Sequence, residues 1–142
     1  MKNLLNKQLK NEKGLTLIEL LAVIVILAIV AAIAIPSIGN IISNSKSKAI
    51  LSDASQIISS TKTALADGAC ASETECTGKE LKEFVEDAKD TLTDGDSVVK
   101  TGNSYEISYE KFEDLNENDK FKTIKTAKKA TDKELVAAMG KK

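Results

Sequence analysis

The chain has 142 residues, with 20 basic and 21 acidic side chains; every basic one is Lys, and there is no His, Arg or Trp. That inventory excludes histidine-based triads, histidine zinc sites and arginine phosphate clamps, and no spacing singles out a Lys base or a carboxylate pair, so neither an enzyme nor a cofactor is expected. The length fits one domain, and a long apolar block takes a sizeable share of it.

The first stretch, MKNLLNKQLKNEKG, sets Lys2, Lys7, Lys10 and Lys13 against a single acid, Glu12. Residues 15–35 then form an apolar block interrupted only by Thr16 and Glu19. As a helix these 21 residues would cover about 30 Å, the hydrocarbon thickness of a bilayer. Beyond the block, within a comparable distance, come only Lys46 and Lys48. The excess of Lys before the block favours an N-terminus kept in the cytoplasm and an exported C-terminal part.

Glu19 is the anomaly, because an ionised side chain inside a bilayer costs about 3 kcal/mol on insertion scales. A secretory signal cut near Ala32-Ile33-Ala34 and a plain single-pass anchor both leave that cost unexplained. A third reading accounts for it. Gly14 followed by LTLIELLAVIVILAIVAAIAIP resembles the type III signal of type IV prepilins and the related pseudopilins. Counted from Leu15, Glu19 is the fifth residue and Pro36 the twenty-second, as in that family; Leu15 departs from the more common Phe.

The resemblance implies cleavage between Gly14 and Leu15 by a prepilin peptidase, which also methylates the new Leu15 amine. Residues 1–14 are then a cytoplasmic leader. Gly14 suits this because a residue without a side chain lets the backbone enter a peptidase site. The new amine lies one helical turn from Glu19, and in a staggered stack of subunits it can sit beside the Glu19 of a neighbour. Such a pair fixes register more surely than it adds net stability. The implied product is a helical homo-oligomeric filament, a type IV pilus; the intact Glu19 and a small exported part without a large insertion point to the major subunit. The chain would be a single-pass protein in membrane lipid before assembly and lie on the cell surface afterwards. Its further partners would be an inner-membrane assembly platform and minor pilins, and its uses adhesion, twitching motility or DNA uptake. A pseudopilin of a type II secretion or competence system shares the whole N-terminal signature.

Past residue 35 the helix is expected to continue with a kink at Pro36 and Gly39. Residues 36–67 read as its amphipathic continuation: Ile50, Ala54, Ile57, Ile58, Thr61 and Leu65 share one face, and Ser52, Gln56, Ser59 and Thr63 the other. Asp67-Gly68 reads as the stop. Residues 68–142 are the exported globular part. Cys70 and Cys76 flank a short loop whose disulfide would stabilise an exported domain by roughly 2 kcal/mol; many Gram-negative type IV pilins enclose a longer C-terminal loop instead.

Thr77 and Glu80 have capping-box spacing, and Leu81, Phe84, Val85, Ala88 and Leu92 predict a helix over residues 78–91. Val98-Val99 and SYEISYE predict two strands joined near Gly102-Asn103, and Phe121 with Ile124 suggests a third. Thr131 and Glu134 repeat the capping-box spacing before a short C-terminal helix. The fold class is therefore α+β, a long N-terminal helix packed on a small antiparallel sheet, which is the pilin fold.

Two further features bear on function. Asp114, Asn116 and Asn118 match the start of a calcium loop, but Asp119 stands where Gly is required and Lys125 where the terminal Glu is required, so a looser calcium site competes with a plain polar turn. Residues 66–119 carry 16 acids and five Lys, whereas residues 120–142 carry eight Lys and two acids. These blocks can pair within a chain, or the basic part of one subunit can meet the acidic part of another. Direct nucleic-acid binding is not expected, since Phe121 is the only aromatic among the C-terminal Lys residues.

Overall fold

A computed structural model describes the backbone of residues 2–85 and 91–140, with side chains from Thr16 onward within those ranges. The chain divides into two compact units, one ending at Ile42 and the other beginning at Ser43. Helix α1 (Lys2–Ala66) runs through both. It starts earlier than the sequence predicts, because residues 2–13 are Leu, Lys, Asn, Gln and Glu with no breaker among them, and Gly14 alone costs only about 1 kcal/mol in a helix interior. Pro36 does not interrupt the helix.

The second unit is built on residues 43–66 of α1. Leu51, Ala54, Ile57, Ile58, Thr61 and Ala64 are buried, while Ser52, Gln56, Ser59 and Thr63 are exposed. This is the predicted amphipathic split, centred slightly differently. Thr61 is tolerated in the core because its hydroxyl donates to the Ile57 carbonyl at 2.8 Å. The helix stops at a Schellman turn: the Ala69 amide donates to the Ala64 carbonyl at 2.9 Å and Gly68 takes φ +68°.

Strands β1 (Glu75–Thr77), β2 (Ser97–Thr101), β3 (Ser104–Ser108) and β4 (Lys129–Thr131) form one antiparallel sheet in that order. The β2–β3 hairpin turns on Gly102-Asn103, with positive φ at Gly102 (+61°). In register, Cys76 faces Val98, Val98 faces Ile107 and Ile107 faces Ala130. All four are buried in the same core as the α1 stripe, so the amphipathic half of the helix packs on the sheet. The architecture is α+β, as expected of the pilin fold.

Two predicted elements differ. Phe121 and Ile124 are not in a strand but in helix α3 (Asp119–Ala127), both buried. Their spacing of three puts both on one face of a helix and on opposite faces of a strand, and the core takes both. The third predicted strand is instead β4, reached after Lys128 closes α3 at φ 53°.

The predicted helix over 78–91 is a short helix α2 (Gly78–Leu81), followed by turns at residues 82–84; Ala88 falls outside the described residues. A helix of 14 residues would carry the chain about 20 Å away. Yet the Gly78 amide donates to the Asp96 carbonyl at 2.7 Å, and the Thr93 carbonyl lies against the Gly78 Cα. Leu81, Val85 and Leu92 still reach the core, and Phe84 remains exposed.

Behind this return, the buried Asp96 carboxylate accepts the Thr93 amide at 2.7 Å and the Glu110 amide at 2.8 Å. The 3-10 turn at Glu110–Asp114 places Phe112 against Tyr109 edge to face, with ring centroids 5.4 Å apart. The C-terminal helix α4 (Asp132–Met139) starts at the Thr131–Glu134 capping box, in which the Glu134 amide donates to the Thr131 hydroxyl and Glu134 accepts the Thr131 amide.

A Cβ on Gly78 would overlap the Thr93 carbonyl oxygen and lie 3.2 Å from that of Asp96, both backbone atoms with little freedom to move. Gly78→Ala is expected to destabilise the globular part by about 1–3 kcal/mol, read as a lower denaturation midpoint of the full chain in detergent.

Candidate functional site

The candidate site is the first unit's stretch of α1 over residues 16–42. Its only charged side chain is Glu19, and none of its residues is buried. Leu17, Ile18, Ile33 and Ile35 are each 69–70% exposed. A helix apolar on all sides belongs in a membrane or in the centre of an assembly. Among the described residues this helix is long and apolar enough to cross a bilayer. Glu19 is exposed among these apolar neighbours. The backbone of Gly14 and Leu15 belongs to α1, while the side chain of Leu15 is not among those described. Ser37, directly after Pro36, donates its hydroxyl to the Ile33 carbonyl at 3.3 Å, and Gly39 has open space around its Cα.

Residues 9–35 match the family described as the prokaryotic N-terminal methylation motif. The motif indicates a type IV pilin-like or pseudopilin precursor. No curated protein and no solved structure matches the chain. In pilins this motif is the recognition signal of the prepilin peptidase, and it marks structural proteins that are not enzymes. Here the match covers Gly14, Leu15 and Glu19 and ends just before Pro36.

The remaining sequence candidates lie in the globular unit. Cys70 and Cys76 form a disulfide with Cα atoms 5.2 Å apart. Glu80 spans the same loop: its carboxylate accepts the Ala71 amide at 2.8 Å, the Thr77 amide at 2.8 Å and the Thr77 hydroxyl at 2.9 Å. The capping-box spacing discloses the Thr77 half of this, but the bond to Ala71 had no sequence signal.

The calcium-loop candidates serve as a docking segment. Asn116 and Asn118 each donate a side-chain amide to Asn44 on α1, at 2.7 and 3.2 Å, and the Asn116 amide donates to the buried Ser47 hydroxyl at 2.9 Å. Asp114 instead approaches Lys111 at 3.8 Å. Asn44 and Ser47 lie some 70 residues from their partners, and nothing local in the sequence marks them.

The charge blocks meet inside the chain. Lys128 pairs with Glu113, Lys129 with Glu106 at 3.3 Å and Lys125 with Glu117 at 3.8 Å. The Glu113 hydrogen bond, then its charge, holds the Lys128 ammonium above its ordinary pKa. These pairs are exposed, so water and salt screen them and each adds little to stability. Lys128→Glu with Lys129→Glu should lower the thermal midpoint by a few degrees at most at low salt, with the difference shrinking at high salt.

Three of the described carboxylates hold folded-state values below their ordinary ones: the exposed Asp94, through its hydrogen bond to Lys82 at 2.8 Å and then the charge of that ammonium, and the two that bond to the backbone, Glu80 and Asp132. For Glu80 the causes are the amides of Thr77 and Ala71, then the Thr77 hydroxyl. For Asp132, burial pushes upward but is outweighed by the Ser104 hydroxyl at 2.8 Å and the amides of Tyr105 and Lys133. A depressed carboxylate contributes stability that is complete above its unfolded value and is lost as pH falls through the folded one. The denaturation midpoint should therefore hold steady down to the ordinary Glu value of 4.5 and fall below it, less steeply in a Glu80→Gln/Asp132→Asn variant.

Proposed function

We propose that this chain is the major structural subunit of a type IV pilus, made as a precursor, cleaved between Gly14 and Leu15 and methylated at Leu15. The observation that carries the reading is the methylation motif seated on a helix segment that is apolar on all sides, with Glu19 as its only charge among residues 16–42. Cleavage puts a positive amine about 6 Å along the helix axis from Glu19. In a bundle of such helices the amine of one subunit neutralises Glu19 of its neighbour and sets the axial register.

Before assembly, residues 15–35 lie in lipid with the leader in the cytoplasm and residues 68–142 exported; afterwards the apolar segment is the filament core. The peptidase, an inner-membrane assembly platform, minor pilins and further copies of the chain are its partners. A pseudopilin would share all of residues 9–35. The unaltered Glu19 and the small globular part without a large insertion favour the pilus.

Intact mass and N-terminal sequencing of material sheared from the cell surface test this reading. Filaments built of residues 15–142 with a methylated Leu15 are expected. A membrane-bound chain retaining its leader, or a product starting near Ile35, would overturn it. Glu19→Ala should leave a cleaved, membrane-inserted chain while filament yield drops at least about tenfold, the loss expected for about 1.4 kcal/mol of assembly free energy per subunit.

A further inference from the structure

The loop between Cys70 and Cys76 is closed twice. The disulfide joins the two cysteines, and the Glu80 carboxylate joins Ala71 to Thr77, one residue beyond each cysteine. We propose that Glu80 is a positioning residue for oxidation of this cysteine pair, holding the loop closed before the disulfide forms and after it is reduced.

The anchors on either side make this arrangement independent of sulfur. The Schellman turn, with the Ala69 amide on the Ala64 carbonyl, delivers the chain to Cys70. Cys76 is held in β1 opposite Val98, and the Lys100 amide donates to the Thr74 carbonyl at 2.7 Å. What remains to be restrained is the span between them, and the Glu80 carboxylate restrains it with charge-assisted hydrogen bonds. Closing a flexible loop is the entropic part of bringing two thiols together, so a loop closed in advance raises their effective concentration.

Cys70 is half-buried and Cys76 fully buried, which gives the chemistry an order. With oxidised glutathione as the disulfide donor, the Cys70 thiolate attacks one donor sulfur. The donor S–S bond breaks, and one glutathione thiolate leaves and takes up the proton that Cys70 lost. Cys76 then gives up its proton, and its thiolate attacks the Cys70 sulfur of the mixed disulfide. The second glutathione leaves as a thiolate and is protonated in turn. Two protein thiols are oxidised by two electrons, and the donor is reduced to two thiols.

The test uses the full chain, reduced in detergent micelles, equilibrated with mixtures of reduced and oxidised glutathione and quenched by alkylation for mass analysis. Glu80→Ala should lower the effective concentration of the two thiols at least about tenfold and accumulate a mixed disulfide on Cys70. Glu80→Gln, which keeps one acceptor oxygen, should fall between it and the unaltered chain. Glu75→Gln, a neighbouring exposed carboxylate, should change nothing. An unchanged effective concentration in Glu80→Ala would overturn the proposal. Hydrogen exchange at the Ala71 amide of the unaltered chain tests it without a variant: protection should persist after reduction, and its complete loss would also overturn the proposal. Both measurements are independent of filament formation.

Discussion

The fold depends on one contact, the apolar stripe of α1 over residues 51–64 against a single row of side chains across the sheet. That row, Cys76, Val98, Ile107 and Ala130, takes one residue from each strand. The globular unit is too small to make a large core from its own strands, so the helix must supply the other wall. Neither a four-stranded sheet with two three-residue edges nor an isolated amphipathic helix would be stable by itself. The two become one domain because the helix brings Leu51, Ala54, Ile57 and Ile58 to the sheet row.

The same helix has two characters. Over residues 16–42 its apolar side chains face outward on all sides, and over residues 43–66 they are gathered on one face. Asn44 and Ser47 stand just past that change and receive the amides of Asn116 and Asn118. The polar docking of the α3 approach segment thus begins at the start of the globular unit.

Periodicity made α1 legible: the buried and exposed faces of residues 50–65 follow its spacing, and the β2–β3 hairpin follows alternation around Gly102-Asn103. Predictions fell short where a tertiary contact overrode a local pattern. The helix over 78–91 has a good apolar stripe, but Gly78 must meet Thr93 and Asp96, and no local signal says so. Phe121 and Ile124, apolar residues in a polar stretch, suit a short strand as well as a helix, and only the core, which takes both on one face, selects the helix. The methylation motif was legible because it is linear in the sequence, with Gly14, Leu15 and Glu19 all inside the matched residues 9–35. The bond from Ala71 to Glu80 and the Asn44 docking have no local signal, since each joins residues that only the fold brings together.

Both edges of the sheet end in the same way. Each outer strand has three residues and finishes on a Thr whose amide is taken by a Glu three residues on: Thr77 by Glu80 beside β1, and Thr131 by Glu134 beside β4. The strand passes at once into a helix, and its last donor is already occupied. Neither edge therefore presents a long run of open backbone groups to a strand from another molecule. Copies crowded side by side are kept from fusing edge to edge into aggregates, and whatever order they adopt has to be specified by other surfaces.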